Sequence, residues 1–187
     1  ISFLLTDEGG GATAPMGIPP SDVGVVVFDS RQKVRRFVAE ACRVFGRQAR
    51  LFNPLVLALM RPLLGKHGAT MMRQFVRPLL RMLAEKHAAG EDRFLYDAPA
   101  AMVFHHGPLS GQDDCHIAAT YAMLAAESLG LGTCLVGTVA ALNHDKPLRA
   151  KLGIPLENRV GLALILGYPD VTFRRTIRRR LATVVFH

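Results

Sequence analysis

Two short stretches of this sequence hold residues suited to binding a ligand. The first is Gly130-Leu131-Gly132-Thr133, which follows a helix-like segment rich in Ala and Ser and precedes an apolar, strand-like segment. Two glycines this close free the backbone to bend and to bring peptide N–H groups against a flat ligand. Gly130 also suits a structural task, since glycine is the usual residue just past a helix end. Both interpretations stay open on the sequence alone.

The second stretch is the basic run Arg174-Arg175-Thr176-Ile177-Arg178-Arg179-Arg180. Guanidinium groups bind phosphate through paired hydrogen bonds, so this run predicts an anion site. A solvated face or a set of ion pairs is an equally good interpretation. Nucleic acid is a further alternative, but no aromatic residues interleave with these arginines to stack on bases.

Other chemistries find little support in the residue spacing. The acidic and thiol side chains of 113–116, with His105 and His106 nearby, match no standard zinc pattern, and no metal site is expected. The two histidines are expected to end a strand at the edge of a pocket. No serine has the context of a nucleophile elbow, and neither a Gly-x-Gly-x-x-Gly turn nor a Walker-type lysine loop occurs.

Composition sets the broad class of the protein. The 187 residues fit one domain, and half of them are apolar, which predicts a sizeable core. A formal net charge of +8 attracts anions without choosing among them. Cys42, Cys115 and Cys134 have neither metal nor redox spacing, which favours reduced thiols in a cytoplasmic protein. No secretory signal is visible, and no apolar stretch is long enough to predict a membrane span.

The elements that must position these residues follow from hydrophobic periodicity. Continuous apolar runs predict buried strands at 23–28, 100–105 and 160–166, and a further strand is expected at 181–186. A helix is predicted over 31–50, with Asp29-Ser30 as its cap, and another runs to about Leu129 from a capping box that begins at Ser110. In that second helix Ile117, Tyr121, Leu124 and Ser128 share a face.

Residues 53–89 form a long apolar and basic region that Pro54, Pro62 and Pro78 break into two or three helices. Its Met and Leu residues outnumber what one amphipathic face needs. We interpret the region as a core or dimer-contact segment. A membrane-surface or lid role is the alternative.

Taken in order, several segments make the sequence resemble the FMN-dependent nitroreductase family. The loop Ala14-Pro15-Met16-Gly17-Ile18-Pro19-Pro20-Ser21 is similar to the family's loop before the first central strand. Residues 114–133 resemble its central helix and Gly-Leu-Gly-Thr turn, and Leu152-Gly153-Ile154-Pro155 and Leu166-Gly167-Tyr168-Pro169 are further family segments. The likeness is strongest to the subset fused to a ferredoxin-type iron–sulfur domain.

This resemblance implies a three-layer α/β/α sandwich of α+β class with a mixed, mostly antiparallel central sheet. It implies a single domain over 1–187 that lacks the family's N-terminal helix and carries a helical insertion at about 53–89. It also implies a homodimer with FMN at the interface. Electrons would pass from NAD(P)H or a ferredoxin-type partner to a nitroaromatic, quinone or similar conjugated acceptor. An iron–sulfur cluster is expected only in an upstream domain, and neither nucleic acid nor a membrane span is expected.

The resemblance also assigns cofactor contacts, although no side chain stands out as a proton donor. The loop Pro15, Met16 and Gly17 would line one side of the isoalloxazine, and Leu135, Val136 and Gly137 would pass its other edge with backbone N–H groups. The family's Arg-Arg-Ser-x-Arg phosphate motif does not occur in this sequence. Arg178 and Arg180 would therefore hold the phosphate. The alternatives are a non-catalytic flavin-binding or remnant protein of the same fold, or a basic nucleic-acid-binding module.

Overall fold

A computed structural model describes residues 22–171, together with 183 and 185. A run of helices separates its first strand from its second. In sequence they are β1 (Val23–Phe28), α1 (Arg31–Leu51), α2 (Pro54–Leu59), α3 (Arg61–Met71), a π-helical turn (Met72–Val76), α4 (Arg77–Ala88), β2 (Ala100–His106), α5 (Gln112–Ser128), β3 (Gly132–Val136), a 3₁₀ helix (Gly137–His144), α6 (Lys146–Lys151) and β4 (Arg159–Gly167).

The four strands form one sheet in the order β1-β2-β4-β3. Its three described strand pairs are antiparallel, with Val26 opposite Val103, Val103 opposite Ala163, and Leu135 opposite Leu164. The strands predicted at 23–28, 100–105 and 160–166 are confirmed. The strand predicted at 181–186 lies outside the described residues.

The sheet separates two apolar cores, so the molecule has three layers. Along β2, Ala101 and Val103 pack against α1 and α4, whereas Met102 and Phe104 pack against α5. Both faces of this central strand are buried, which explains why its sequence is a continuous apolar run and not an alternating one. The predicted α/β/α layering of an α+β protein is confirmed.

Helix α1 begins where the sequence predicts. The Ser30 hydroxyl accepts a hydrogen bond from the Lys33 amide at 3.4 Å and caps the helix. Val34, Phe37 and Phe45 lie on the buried stripe of the helix. Phe45 and Phe94 meet edge to face, with ring centroids 5.0 Å apart, so α1 is fixed against the segment that leads into β2.

Helices fill the region 53–89, as predicted, and Pro54 and Pro62 lie in the first turns of α2 and α3. Pro78 does not break the helix as predicted, because the backbone stays helical from Met71 through the π-helical turn to Arg77. Gly65 adopts a left-handed φ of 68° and divides α3. Leu55, Leu59 and Phe75 are exposed on this region in the single chain. None of the helices within the described residues is long and apolar enough to cross a membrane.

The start of α5 corrects one prediction. The helix begins one residue later than the Ser110 capping box requires, because Gly111 is its N-cap and the Asp114 carboxylate accepts from the Gly111 amide at 2.6 Å. Ser110 instead donates its hydroxyl to the Asp22 carboxylate at 2.5 Å, across to the start of β1. The Ser110 hydroxyl therefore bonds to a residue distant in the sequence and does not provide the helix cap that local sequence predicts.

Candidate functional site

The Gly-Leu-Gly-Thr turn ends α5 and delivers the chain to β3. Gly130 has φ +72°, and the amide of Leu131 donates to the Ala126 carbonyl at 2.9 Å, which is the usual glycine-terminated helix end. A Cβ at Gly132 would lie 3.3 Å from Pro169 Cβ and 3.6 Å from the Gly167 carbonyl. The first glycine therefore serves the backbone bend. The second allows β3 to lie close beside the end of β4.

Beyond this turn, the chain borders a cleft of about 220 Å³. One side is the backbone from Leu135 to Gly137, where β3 passes into the 3₁₀ helix. Leu135 and Gly137 are exposed, whereas the Val136 side chain is buried in the core and presents only its backbone. Cys134 and Thr138 flank this backbone, and the other walls come from α4 and from the loop before β2: Leu79, Met82, Leu83, Arg93, Phe94 and Tyr96.

The backbone at this edge has free hydrogen-bonding capacity. β3 pairs only with β4, so its outer edge has no strand partner among the described residues. The 3₁₀ helix that follows has no side-chain cap at its N-terminus, and the first amides of a helix have no partner within the helix itself. A Cβ added to Gly137 would meet nothing within 4 Å, because it would point into open space. Helix-start amides beside a cleft that Leu79, Met82 and Leu135 help to line are compatible with the flat isoalloxazine that the resemblance implies.

The loop between α4 and β2 is tightly braced. The Asp92 carboxylate accepts from the amides of Phe94 at 2.8 Å, Leu95 at 2.9 Å and Asp97 at 2.9 Å. Asp97 in turn pairs with Arg35 at 2.7 Å, and hydrogen bonding from that guanidinium lowers the pKa of the Asp97 carboxyl.

Arg31 also contacts Asp97, at 2.8 Å. The loop is therefore held to the start of α1. Sequence reasoning did not identify it as a cleft wall. Local sequence signalled only a turn, through Asp92 and the Asp97-Ala98-Pro99 segment.

The structure brings together only part of the predicted site. Leu135, Val136 and Gly137 line the cleft. The loop residues Pro15, Met16 and Gly17 lie outside the described residues, as do Arg178 and Arg180.

His105 and His106 end β2, as predicted, but His105 is buried and neither histidine lines the cleft, which corrects the expected place at a pocket edge. The His105 ring is buried in β2, where Nδ1 lies 2.9 Å from Nδ2 of Asn158. Burial lowers the pKa of His105, and the neighbouring His106 lowers it further. A neutral, hydrogen-bonded imidazole in this position stabilises the fold and does not face the cleft.

A cavity of about 690 Å³ lies between α1, α4 and α6. Its basic residues already have protein partners: Arg47 pairs with Asp145, and Lys151 pairs with Glu40 at 2.5 Å. Arg43 donates to a backbone carbonyl of its own helix. A smaller hollow of about 280 Å³ lies between Pro99 and Tyr168. Neither has the bare Gly137 backbone, so the cleft at β3 is the better candidate site.

Comparison with solved structures supports this fold. A nitroreductase with bound FMN from Bacteroides fragilis is 22% identical, with a TM-score of 0.64 over 95% of this chain and 83% of that chain. Iodotyrosine deiodinase bound to FMN and 3-iodo-L-tyrosine is 19% identical, with a TM-score of 0.54 over 97% and 85%. The FMN and NADPH-dependent nitroreductase NfnB from sphigopyxis sp. strain HMH is 18% identical, with a TM-score of 0.51 over 85% and 74%.

No curated protein matches the chain. The sequence model of the nitroreductase family, however, matches residues 10–168, which is most of the chain. With the three-layer fold and the cleft at the end of β3, this match shows that the chain belongs to the nitroreductase family.

Proposed function

We propose that the cleft at Leu135–Gly137 holds the isoalloxazine of FMN and that the protein is an FMN-dependent oxidoreductase. The observation that supports this most directly is Gly137. It is a bare backbone position that opens onto the cleft beside the uncapped first amides of the 3₁₀ helix. A flat ring with polar atoms along one edge needs this combination of close approach and backbone donors.

The residues of the cleft would divide the work between polar edge and apolar face. The amides at the start of the 3₁₀ helix would donate to the polar edge of the ring and fix its orientation. Leu79, Met82 and Leu135 would cover the apolar part and exclude water. FMN, when bound, supplies the transfer of hydride or single electrons. The protein's contribution is binding, orientation and electrostatics.

The described cleft is smaller than the roughly 300–1,000 Å³ of ordinary ligand pockets, which suggests further walls. We propose that Pro15, Met16 and Gly17 line the other side of the ring and that Arg178 and Arg180 bind the phosphate. A second copy of the chain would complete the site, so the working unit is a homodimer. Residues 53–89 are then a helical insertion in a single domain.

The electron donor is proposed to be NAD(P)H or an iron–sulfur partner of ferredoxin type, in a domain upstream or a separate protein. The NfnB structure supports NADPH, because that neighbour is an FMN and NADPH-dependent enzyme with the same fold. The acceptor would be a nitroaromatic, a quinone or a similar conjugated molecule, since such compounds accept electrons from reduced flavin. The three free thiols suit a reducing compartment, the cytoplasm.

The test is an FMN titration of the purified chain, followed by absorbance and fluorescence. Gly137→Val should place two methyl groups in the cleft and cost about 1–3 kcal/mol of binding, which is about 5- to 150-fold in Kd. Gly111→Val is the matched control, because a Cβ there meets only atoms 3.9–4.0 Å away and lies outside the cleft.

Two results would overturn the proposal: absence of FMN binding by the unaltered chain, or equal affinity for FMN in the Gly137→Val and unaltered proteins. FMN binding without reduction of nitroaromatic or quinone acceptors, by NADPH or by dithionite-reduced ferredoxin, would favour the non-catalytic flavin protein instead.

A further inference from the structure

Two consecutive residues beside the cleft adopt a backbone conformation that side chains disfavour. Tyr96 has φ +57° and Asp97 has φ +54°, and they are the only non-glycine residues with positive φ in the described part of the chain. For a bulky residue such as tyrosine this conformation is a genuine outlier. Strain of this kind persists only where the surroundings enforce it, and it concentrates at ligand-binding positions.

The surroundings of Tyr96 do enforce it. On one side Phe94 and Leu95 are buried, and their amides are held by Asp92. On the other side the Asp97 amide is held by the same carboxylate, and the Asp97 side chain is held by Arg31 and Arg35. The chain is thus fixed before Tyr96 by burial and by Asp92, and after it by Asp92 and the two arginines.

Tyr96 itself gains little from this arrangement within the chain. Its side chain is 61% exposed, so packing inside the protein does not account for the strained position. The residue lines the cleft together with Met82 and the backbone of Leu135–Gly137. An exposed aromatic ring at a cleft wall is suited to contact another flat ring, by offset stacking or edge to face.

We propose that Tyr96 is a binding residue for the flat ring held in the cleft, and that the strained turn exists to present its side chain there. Under the proposed function, on which this inference rests, that ring is the isoalloxazine. The neighbouring residues hold the strained conformation in the free protein, and the contact with the bound ring uses the placement that results.

The test separates the cost of the backbone from the gain of the contact. In Tyr96→Gly the backbone is relieved, since glycine adopts positive φ freely, so the thermal midpoint of the flavin-free protein should stay level or rise. The Kd for FMN should increase about 2- to 12-fold, the loss of one aromatic contact. Tyr96→Phe should bind FMN as the unaltered chain does, since the ring is kept.

A second ligand locates the contact. Riboflavin has the same ring without the phosphate. Tyr96→Gly should therefore increase the Kd for riboflavin and the Kd for FMN by the same factor. Tyr168→Ala is the control, because Tyr168 is 87% exposed and lines only the neighbouring hollow. The Tyr168→Ala variant should bind FMN and riboflavin with the affinity of the unaltered chain.

The outcomes distinguish the two proposals. Flavin binding by the unaltered chain together with an equal Kd in Tyr96→Gly would overturn the role of Tyr96 and leave the proposed function standing. A lowered thermal midpoint with unchanged affinity would make Tyr96 a structural residue. No flavin binding by the unaltered chain would overturn both.

Discussion

His105 lies in β2 directly opposite Gly24 of β1. A Cβ on Gly24 would lie 2.3 Å from Cε1 of the imidazole, so the glycine is what gives this ring its space. In the neutral ring Nδ1 accepts a hydrogen bond from Nδ2 of Asn158, and a proton on Nδ1 would remove that acceptor. Burial and hydrogen bonding thus favour the neutral form of a residue that the sequence presents as a possible acid or base.

This environment predicts a dependence of stability on pH. The folded state lowers the pKa of His105 below its ordinary value of 6.5, so the unfolded chain binds the proton more readily. The free energy of unfolding should be level above about pH 7 and should decrease as the pH falls below about 6.5. Urea titrations across this range measure it.

His105→Gln should flatten that slope, since no group titrates at the position. The exposed His116 provides the matched control, and His116→Gln should keep the slope of the unaltered chain. A slope that persists in His105→Gln would show that another group is responsible.

At the scale of elements, small residues decide how closely α5 approaches the sheet. Ala118, Ala122 and Ala126 are fully buried on the side of the helix that faces β2 and β4. Cys115 of α5 lies directly against Gly161 of β4. A Cβ added to Gly161 would lie 2.6 Å from the Cβ of Cys115 and 2.8 Å from its Sγ. Burial also raises the pKa of the Cys115 thiol to about 12, so it packs as an apolar group.

Gly161→Ala should therefore lower the free energy of unfolding by about 1–3 kcal/mol, because the added methyl group forces α5 away from the sheet. Chemical denaturation measures the change. The comparison is Gly137→Ala, whose Cβ meets nothing within 4 Å and which should change stability by less than about 0.5 kcal/mol. Equal effects of the two substitutions would contradict a close helix–sheet contact.

At the scale of the whole molecule, the single chain exposes large apolar side chains on α2 and α5. Ile117, Tyr121 and Leu124 share one face of α5, as their spacing predicts, but that face is exposed and the alanine face is buried. Leu55 and Leu59 add exposed apolar surface on α2. Large exposed apolar patches mark interaction surfaces, which supports the proposed homodimer.

Sedimentation velocity at micromolar concentration should give the mass of a dimer. Leu124→Glu places a charge on the α5 face, where Leu124 is 64% exposed, and should shift the protein toward monomer and weaken FMN binding with it. Leu156→Glu, at an exposed position away from α5, should leave the mass unchanged. A monomeric mass for the unaltered chain would contradict the shared site.

Much of the fold was predictable because it follows from local rules. The cap of α1, the helices α2 and α3 with a proline in their first turn, and the apolar run of β2 each depend on residues a few positions apart or on one strand's pattern. Leu135–Gly137 was identified as a site only through the resemblance, since no local pattern marks it. The family match then followed from the order of several short segments.

Only the tertiary structure decided the contacts between residues that are distant in the sequence. Ser110 gives its hydroxyl to Asp22 and so does not cap α5, and the Asp92–Asp97 loop becomes a cleft wall because Arg31 and Arg35 hold it from α1. The alanine face of α5 is buried against β2 and β4, and Gly161 of β4 leaves the space that Cys115 occupies. Sequence periodicity reports which residues share a face, whereas only the packed molecule shows what each face meets.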